Sequence, residues 1–137
     1  MVKKILGGLA AVLVALLAAF LWGASGKSGL EDALEQFTLR GDLLEARGAV
    51  QTARIALYNT NFGDASRSLE EARVAIERGV QRLRTLGRDT DAQQLEAAIV
   101  PVRDAQQLAG KLDLGANSRA ADAEKTIDRV LQTLPAP

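Results

Sequence analysis

Asn61-Phe62-Gly63-Asp64-Ala65-Ser66-Arg67 returns in weaker form as Asp113-Leu114-Gly115-Ala116-Asn117-Ser118-Arg119. The offset, from 61 to 113, is 52 residues. Carried backward, it pairs Leu43 with Leu95, Ala46 with Ala98, Val50 with Val102 and Ala53 with Ala105. The repeated unit is therefore a whole helix plus the turn that follows it, and two such units predict two αα-hairpins.

Working outward, the apolar spacing defines four helices. Leu39, Leu43, Ala46, Val50, Ala53 and Leu57 alternate steps of four and three, the mark of an amphipathic helix with a coiled-coil-like seam. Leu30, Leu34 and Phe37 form an earlier apolar patch on the same segment, and Ser28 with Glu31 fits a capping box at its start. Gly41 and Gly48 each weaken this helix by about 1 kcal/mol relative to alanine, which allows a bend over 38–42. Asn61, with Asp64 three residues on, supplies a cap and a negative charge for the next helix, whose seam is Phe62, Ala65, Leu69, Ala72, Ile76, Val80 and Leu83. Gly87 suits the left-handed position that closes it.

Thr90 and Gln93 repeat the capping-box pattern before a seam of Leu95, Ala98, Val102, Ala105, Ala109 and Leu112. Pro101 predicts a kink within that helix, because it lacks an amide donor and presses on the carbonyl of Ala97. A last helix uses Ala120, Ala123, Ile127, Val130 and Leu134, and Pro135 and Pro137 stop it. The predicted spans are 29–59, 62–86, 91–112 and 114–134. Short connections make neighbours antiparallel, so the expected fold class is all-α: an N-terminal transmembrane helix followed by two αα-hairpins packed as a four-helix bundle. Alanine fills about half of the seam, so the axes should lie toward the short end of the usual ~8–10 Å range.

The start of the chain has another character. Lys3 and Lys4 precede an uninterrupted apolar run, Ile5 to Trp22, and Gly23, Ala24, Ser25 and Gly26 follow it. As a helix the run would rise about 27 Å, close to a hydrocarbon core of about 30 Å. Trp22 would then lie at the far interface, and the lysines would hold residues 1–4 in the cytoplasm. The reading is a single-pass anchor over 5–22 and a linker over 23–28. The bundle over 29–134, with a tail at 135–137, then stands on the periplasmic or extracellular side of the cytoplasmic (inner) membrane. The alternative is a cleaved secretory signal, although the run exceeds the usual h-region and cleavage after Ala24 would place Trp22 at the −3 position. Gly7, Ala11, Ala15 and Ala19 follow a small-xxx-small spacing, which either lets membrane helices approach closely or reflects the abundance of alanine in such helices.

The totals exclude more than they select. Charges balance at 17 basic and 17 acidic residues in 137, and without Lys3 and Lys4 the remainder carries two more acidic than basic residues. Interspersed signs give no electrostatic footprint for nucleic acid. Histidine and cysteine are absent, which removes the commonest general base, Ser-His and Cys-His nucleophile pairs, structural zinc and most haem ligation. Ser25 and Ser28 flank Lys27 in a stretch read as spacer. Asp89 and Asp91 lack the glycine and distal glutamate of a calcium loop and read as capping residues. Arg82, Arg84 and Arg88 lie around a helix C-terminus, where cations complement the macrodipole. No cofactor is expected and the chain reads as a non-enzyme.

Asn61, Phe62, Ala65, Leu69 and Ala72 resemble the turn and second helix of a tetratricopeptide unit. The resemblance covers the first hairpin only and implies a helical protein-binding scaffold. Arg67 and Arg119 oppose the macrodipole in the first turn of their helices at the same register. They are expected either to bridge the bundle, to Asp42, Glu45 or Asp104, or to meet an acidic partner. Tyr58 and Phe62 flank the turn as a core plug or an aromatic anchor. These four are the candidate partner-contact residues. The functional expectation is a membrane-anchored scaffold, adaptor or accessory subunit with the bilayer and a protein partner, or a second copy, as its contacts. The alternative is a secreted or periplasmic helical protein that binds an apolar ligand.

Overall fold

A computed structural model describes the backbone of residues 2–136 and the side chains of residues 29–136. It contains α1 (Val2–Tyr58), α2 (Phe62–Thr85), α3 (Asp89–Glu96), α4 (Ile99–Gly110) and α5 (Ala116–Thr133), with no strand among the described residues. Two compact units are present, Met1–Glu35 and Gln36–Pro137. The apolar run Ile5–Trp22, read as an anchor, lies outside the residues whose side chains are described. Among the described residues no helix is long and apolar enough to cross a membrane.

In the first unit Leu30 and Leu34 are exposed. α1 is assigned as one helix from Val2 to Tyr58; the cap expected at Ser28 and the linker expected over 23–28 fall where side chains are not described. Propagating an existing helix adds a hydrogen bond per residue, and a glycine subtracts only about 1 kcal/mol from it. The same reasoning accounts for continuity through Gly41 and Gly48.

The second unit is a bundle of four helical arms, with α3 and α4 forming one arm. Its core holds every seam residue of α1 from Leu39 to Leu57, together with Leu69, Ile76, Leu83, Leu95, Val102, Ile127 and Val130. Alanine occupies many of the remaining core places, and Gly79 lies on the core face of α2 against Leu43 and Leu95. A Cβ on Gly79 would come within 2.8 Å of Leu43 Cδ1 and 2.9 Å of Leu95 Cδ2, so any side chain there must displace the tips of two buried leucines.

Three of the connections close in one way. Thr60, Gly87 and Leu112 adopt φ of 56°, 70° and 58°. The amide after each reaches back to a carbonyl in the last turn: Asn61 to Ala56 at 2.8 Å, Arg88 to Leu83 at 2.8 Å and Asp113 to Leu108 at 2.9 Å. The left-handed residues themselves bond to Leu57, Arg84 and Ala109 at 3.0, 3.0 and 2.9 Å. These are Schellman closures, which satisfy the orphan carbonyls of each helix end. Thr60 and Leu112 stand at equivalent places of the 52-residue repeat. Leu112, expected in the seam, is instead 69% exposed, since the chain has already turned left-handed.

The helix starts differ more. Asn61 Oδ1 accepts from the Asp64 amide at 3.3 Å, as a cap should. Asp113 Oδ1 instead accepts from the Gly115 amide at 2.7 Å, and α5 begins at Ala116. The capping box expected at Thr90 is corrected: α3 begins at Asp89 behind Arg88, with no side-chain cap bond. The single kinked helix expected over 91–112 is two helices that meet at Ala97 and Ala98. Both residues keep helical backbone angles, and the Ala98 amide shortens its reach to Leu95 at 3.0 Å. The interruption falls at Ala97, whose carbonyl faces the proline ring.

Candidate functional site

Ion pairs fix the order of the arms around α1. On one side Arg78 Nε and Arg82 Nε reach the Asp42 carboxylate at 3.2 and 2.6 Å, and Arg78 Nη2 reaches Glu45 at 2.8 Å. On the other side three arginines at seven-residue intervals meet α5 and the segment after it. Arg54 donates to Glu124 at 2.5 Å and to Asn117 at 3.0 Å, Arg47 lies 3.0 Å from Asp128, and Arg40 touches the Pro135 carbonyl at 3.4 Å. The partners run backward along the chain as the arginines run forward, so α1 and α5 are antiparallel.

Elsewhere Arg84 pairs with Glu96 at 2.8 Å, and Arg88 with Asp91 at 2.8 Å and the Thr133 carbonyl at 3.1 Å. The arginines read as macrodipole complements thus also tie the arms together. Glu45 beside it, with Asp42 contributing, raises the Arg78 pKa. Burial pushes the Glu124 carboxyl up, but Gln51, Arg54 and Arg47 outweigh that and leave it lowered. Arg73, with help from Gln106, holds Glu70 down to about 2. The Arg78 and Glu124 shifts belong to pairs that latch helices, the Glu70 shift mainly to a pair within α2, and no cluster of three or more His, Cys, Asp or Glu side chains able to hold a metal occurs among the described residues.

The four sequence-derived candidates gather at one end of the bundle without bridging it. Arg67 pairs with Asp64 at 3.5 Å and Arg119 with Asp122 at 3.7 Å, each with an acid three residues away on its own helix. The expected bridge to Asp42, Glu45 or Asp104 is corrected. Antiparallel packing sets Asp42 and Glu45 level with Arg78 and Arg82, well down α2 from Arg67. The local acid also answers the charge: for Arg67 it is Asp64, in the first turn of α2, and for Arg119 it is Asp122, one turn further along α5. Phe62 is half-buried against the core. Tyr58 is 82% exposed, which corrects its reading as a core plug. It closes the outer face of α1, where the next residues enter the Thr60 turn.

That outer face was overlooked in the spacing argument. Phe37, Gly41, Leu44, Gly48, Gln51, Ile55 and Tyr58 alternate steps of four and three, as the buried seam does, but point away from the core. Phe37 is 71% exposed, Ile55 64% and Leu44 47%. A Cβ on Gly41 or on Gly48 would meet nothing within 4 Å, so nothing in the bundle's own packing requires glycine at either place.

An open groove of about 700 Å³ lies between α2 and the α3–α4 arm, with Val74, Val80 and Ile99 among its lining and Arg78, Arg82, Arg84 and Arg103 around them. It is open to solvent, in contrast to the enclosed apolar cavity a carrier of an apolar ligand requires. No family model, curated protein or solved structure matches this chain in comparison.

Proposed function

We propose that the chain is a membrane-tethered helical scaffold that works by protein–protein contact and carries out no catalysis. The observation that carries this reading is the outer face of α1. Phe37, Leu44, Ile55 and Tyr58 stand in water along one line of α1, whereas the other exposed large apolar residues of the bundle, among them Val100, Leu112 and Leu114, form no such line. Aligned exposure of large apolar side chains marks an interaction surface more than scattered exposure does. The tether rests on sequence: two lysines, the Ile5–Trp22 run and an interfacial tryptophan. Absence of histidine and cysteine leaves little nucleophilic or acid–base chemistry for an active site. The tetratricopeptide-like spacing of Ala65, Leu69 and Ala72 fits the same reading.

Fractionation of cells expressing the full chain tests the tether. The expected result is retention in carbonate-washed membranes, an intact mass that includes Met1 or Val2, and digestion of the bundle by protease added to spheroplasts. A soluble product shortened by about 25 residues would overturn it in favour of a cleaved signal.

A further inference from the structure

We infer that the outer face of α1 is the docking site for a second copy of the same chain, paired with it in parallel and in register. Its orientation rests on the tethered-scaffold reading, because two chains held in one bilayer by equivalent N-terminal segments present α1 in the same direction. Phe37, Leu44 and Tyr58 occupy one seam position of a heptad and Gly41, Gly48 and Ile55 the other. Glycine at seven-residue intervals on a helix, with open space beyond each α-carbon, is a sequence cost with no return inside one bundle. Between two bundles it lets the backbones approach closely, while the large residues of the alternate layers pack on their own counterparts.

Charge selects the occupant and its direction. In a parallel pair the flank holding Arg40, Arg47 and Arg54 faces the flank holding Glu45 and Thr52. Arg40 then meets Glu45 of the second copy. Arg40 has no carboxylate partner among the described residues, only the Pro135 carbonyl, and the Glu45 side chain is 59% exposed beside Arg78, with room for a second guanidinium. An antiparallel pair would set this flank, where Asp128 and Glu124 already hold Arg47 and Arg54, against itself and bring no carboxylate to Arg40. The exposed area of the four large apolar residues, doubled for two copies, is on the order of 1,000 Å², the threshold for a specific contact. Confinement to a membrane adds effective concentration.

The absence of cysteine makes the test direct. Gly41→Cys, Gly48→Cys and Ile55→Cys, each alone in the full chain in native membranes, are expected to form disulfide-linked dimers on mild oxidation, whereas Gln107→Cys, on the exposed side of α4, is not. Opposed seam positions of a close parallel pair lie within reach of a disulfide. An antiparallel pair can self-link at only one of the three sites, since moving seven residues along separates its equivalent positions by about 21 Å. Adding Leu44→Glu to Gly48→Cys should reduce the linked fraction at least tenfold with an unchanged melting temperature. Linkage at one site only would overturn the parallel register, and no linkage in folded, membrane-retained protein would overturn the pairing while leaving the scaffold reading in place.

Discussion

The Arg82 guanidinium lies 2.6 Å from the carboxylate of Asp42, and Asp42 is only 8% exposed. Arg78 shares that carboxylate at 3.2 Å, so one acid on α1 anchors two successive turns of α2. Removing it leaves Arg78 with Glu45, and both guanidiniums are partly in water, which limits the loss to less than a fully buried pair would show. Asp42→Ala is expected to lower unfolding free energy by about 1–3 kcal/mol, read from urea denaturation with an unchanged m-value. Arg67→Ala and Arg119→Ala, whose pairs are local and exposed, should each cost less than about 0.5 kcal/mol.

Acid should weaken the bundle in a defined window. Arg73 holds the Glu70 carboxyl at about 2 in the folded chain, well below the ordinary carboxylate range, and Glu124 is also lowered. A depressed carboxylate contributes stability that is complete above its unfolded pKa and is lost as pH falls through the folded one. Melting temperature should therefore be flat from pH 7 to about 5 and decline toward pH 2. Because Glu70 is half-exposed, its own share is small. Glu124, with a side chain only 13% exposed against Arg54, should contribute more, so Glu124→Gln is expected to flatten the acid limb more than Glu70→Gln does.

The left-handed turns offer a paired comparison. Thr60 holds φ of 56° with a β-branched side chain, and Gly87 holds φ of 70° without one. A left-handed conformation costs an L-residue about 1–2 kcal/mol, and glycine returns part of that through greater freedom in the unfolded chain. Thr60→Gly should thus stabilise by up to about 1 kcal/mol, whereas Gly87→Ala should destabilise by about 1 kcal/mol. Thermal melts of the two variants against the parent decide it, and equal shifts of one sign would contradict the strain account.

At Gly79 the expected sign follows from packing. Leu43 and Leu95 are fully buried and would stand 2.8 and 2.9 Å from an added Cβ. Their methyl groups have little space to retreat into a close-packed core. Gly79→Val should cost about 2 kcal/mol or more by overpacking, exceeding the gain in helix propensity, with loss of cooperativity in the melt as the accompanying sign.

Much of this architecture is legible in spacing alone. The seam from Leu39 to Leu57 is buried throughout because a 3.6-residue period leaves a helix one face for the core. What spacing could not show was the level at which antiparallel arms meet. That level pairs Asp42 with Arg82 rather than Arg67, and it depends on tertiary packing. Leu112 kept the period but not the burial, since period carries no information on where a helix ends when the closing residue is not glycine. The division of α3 from α4 was signalled by Pro101 only as a kink. The outer line of α1 was present in the same steps of four and three, hidden because two of its places are Gly41 and Gly48, which read as weaknesses of a helix rather than as members of a seam.

Those two glycines give the sharpest test of whether the outer face serves the fold or a contact. In one bundle an alanine at either position meets open space and improves helix propensity by about 1 kcal/mol, so Gly41→Ala and Gly48→Ala should each raise the melting temperature of dilute, detergent-solubilised monomer by about 4–8 °C. In a paired state the added methyl groups push two backbones apart and weaken self-association. Stability and association should therefore move in opposite directions, with the double variant showing the larger split. Sedimentation velocity beside thermal melts of the same samples would read both, and a variant that melts higher while associating as strongly as the parent would show that the glycines have no part in bringing two copies together.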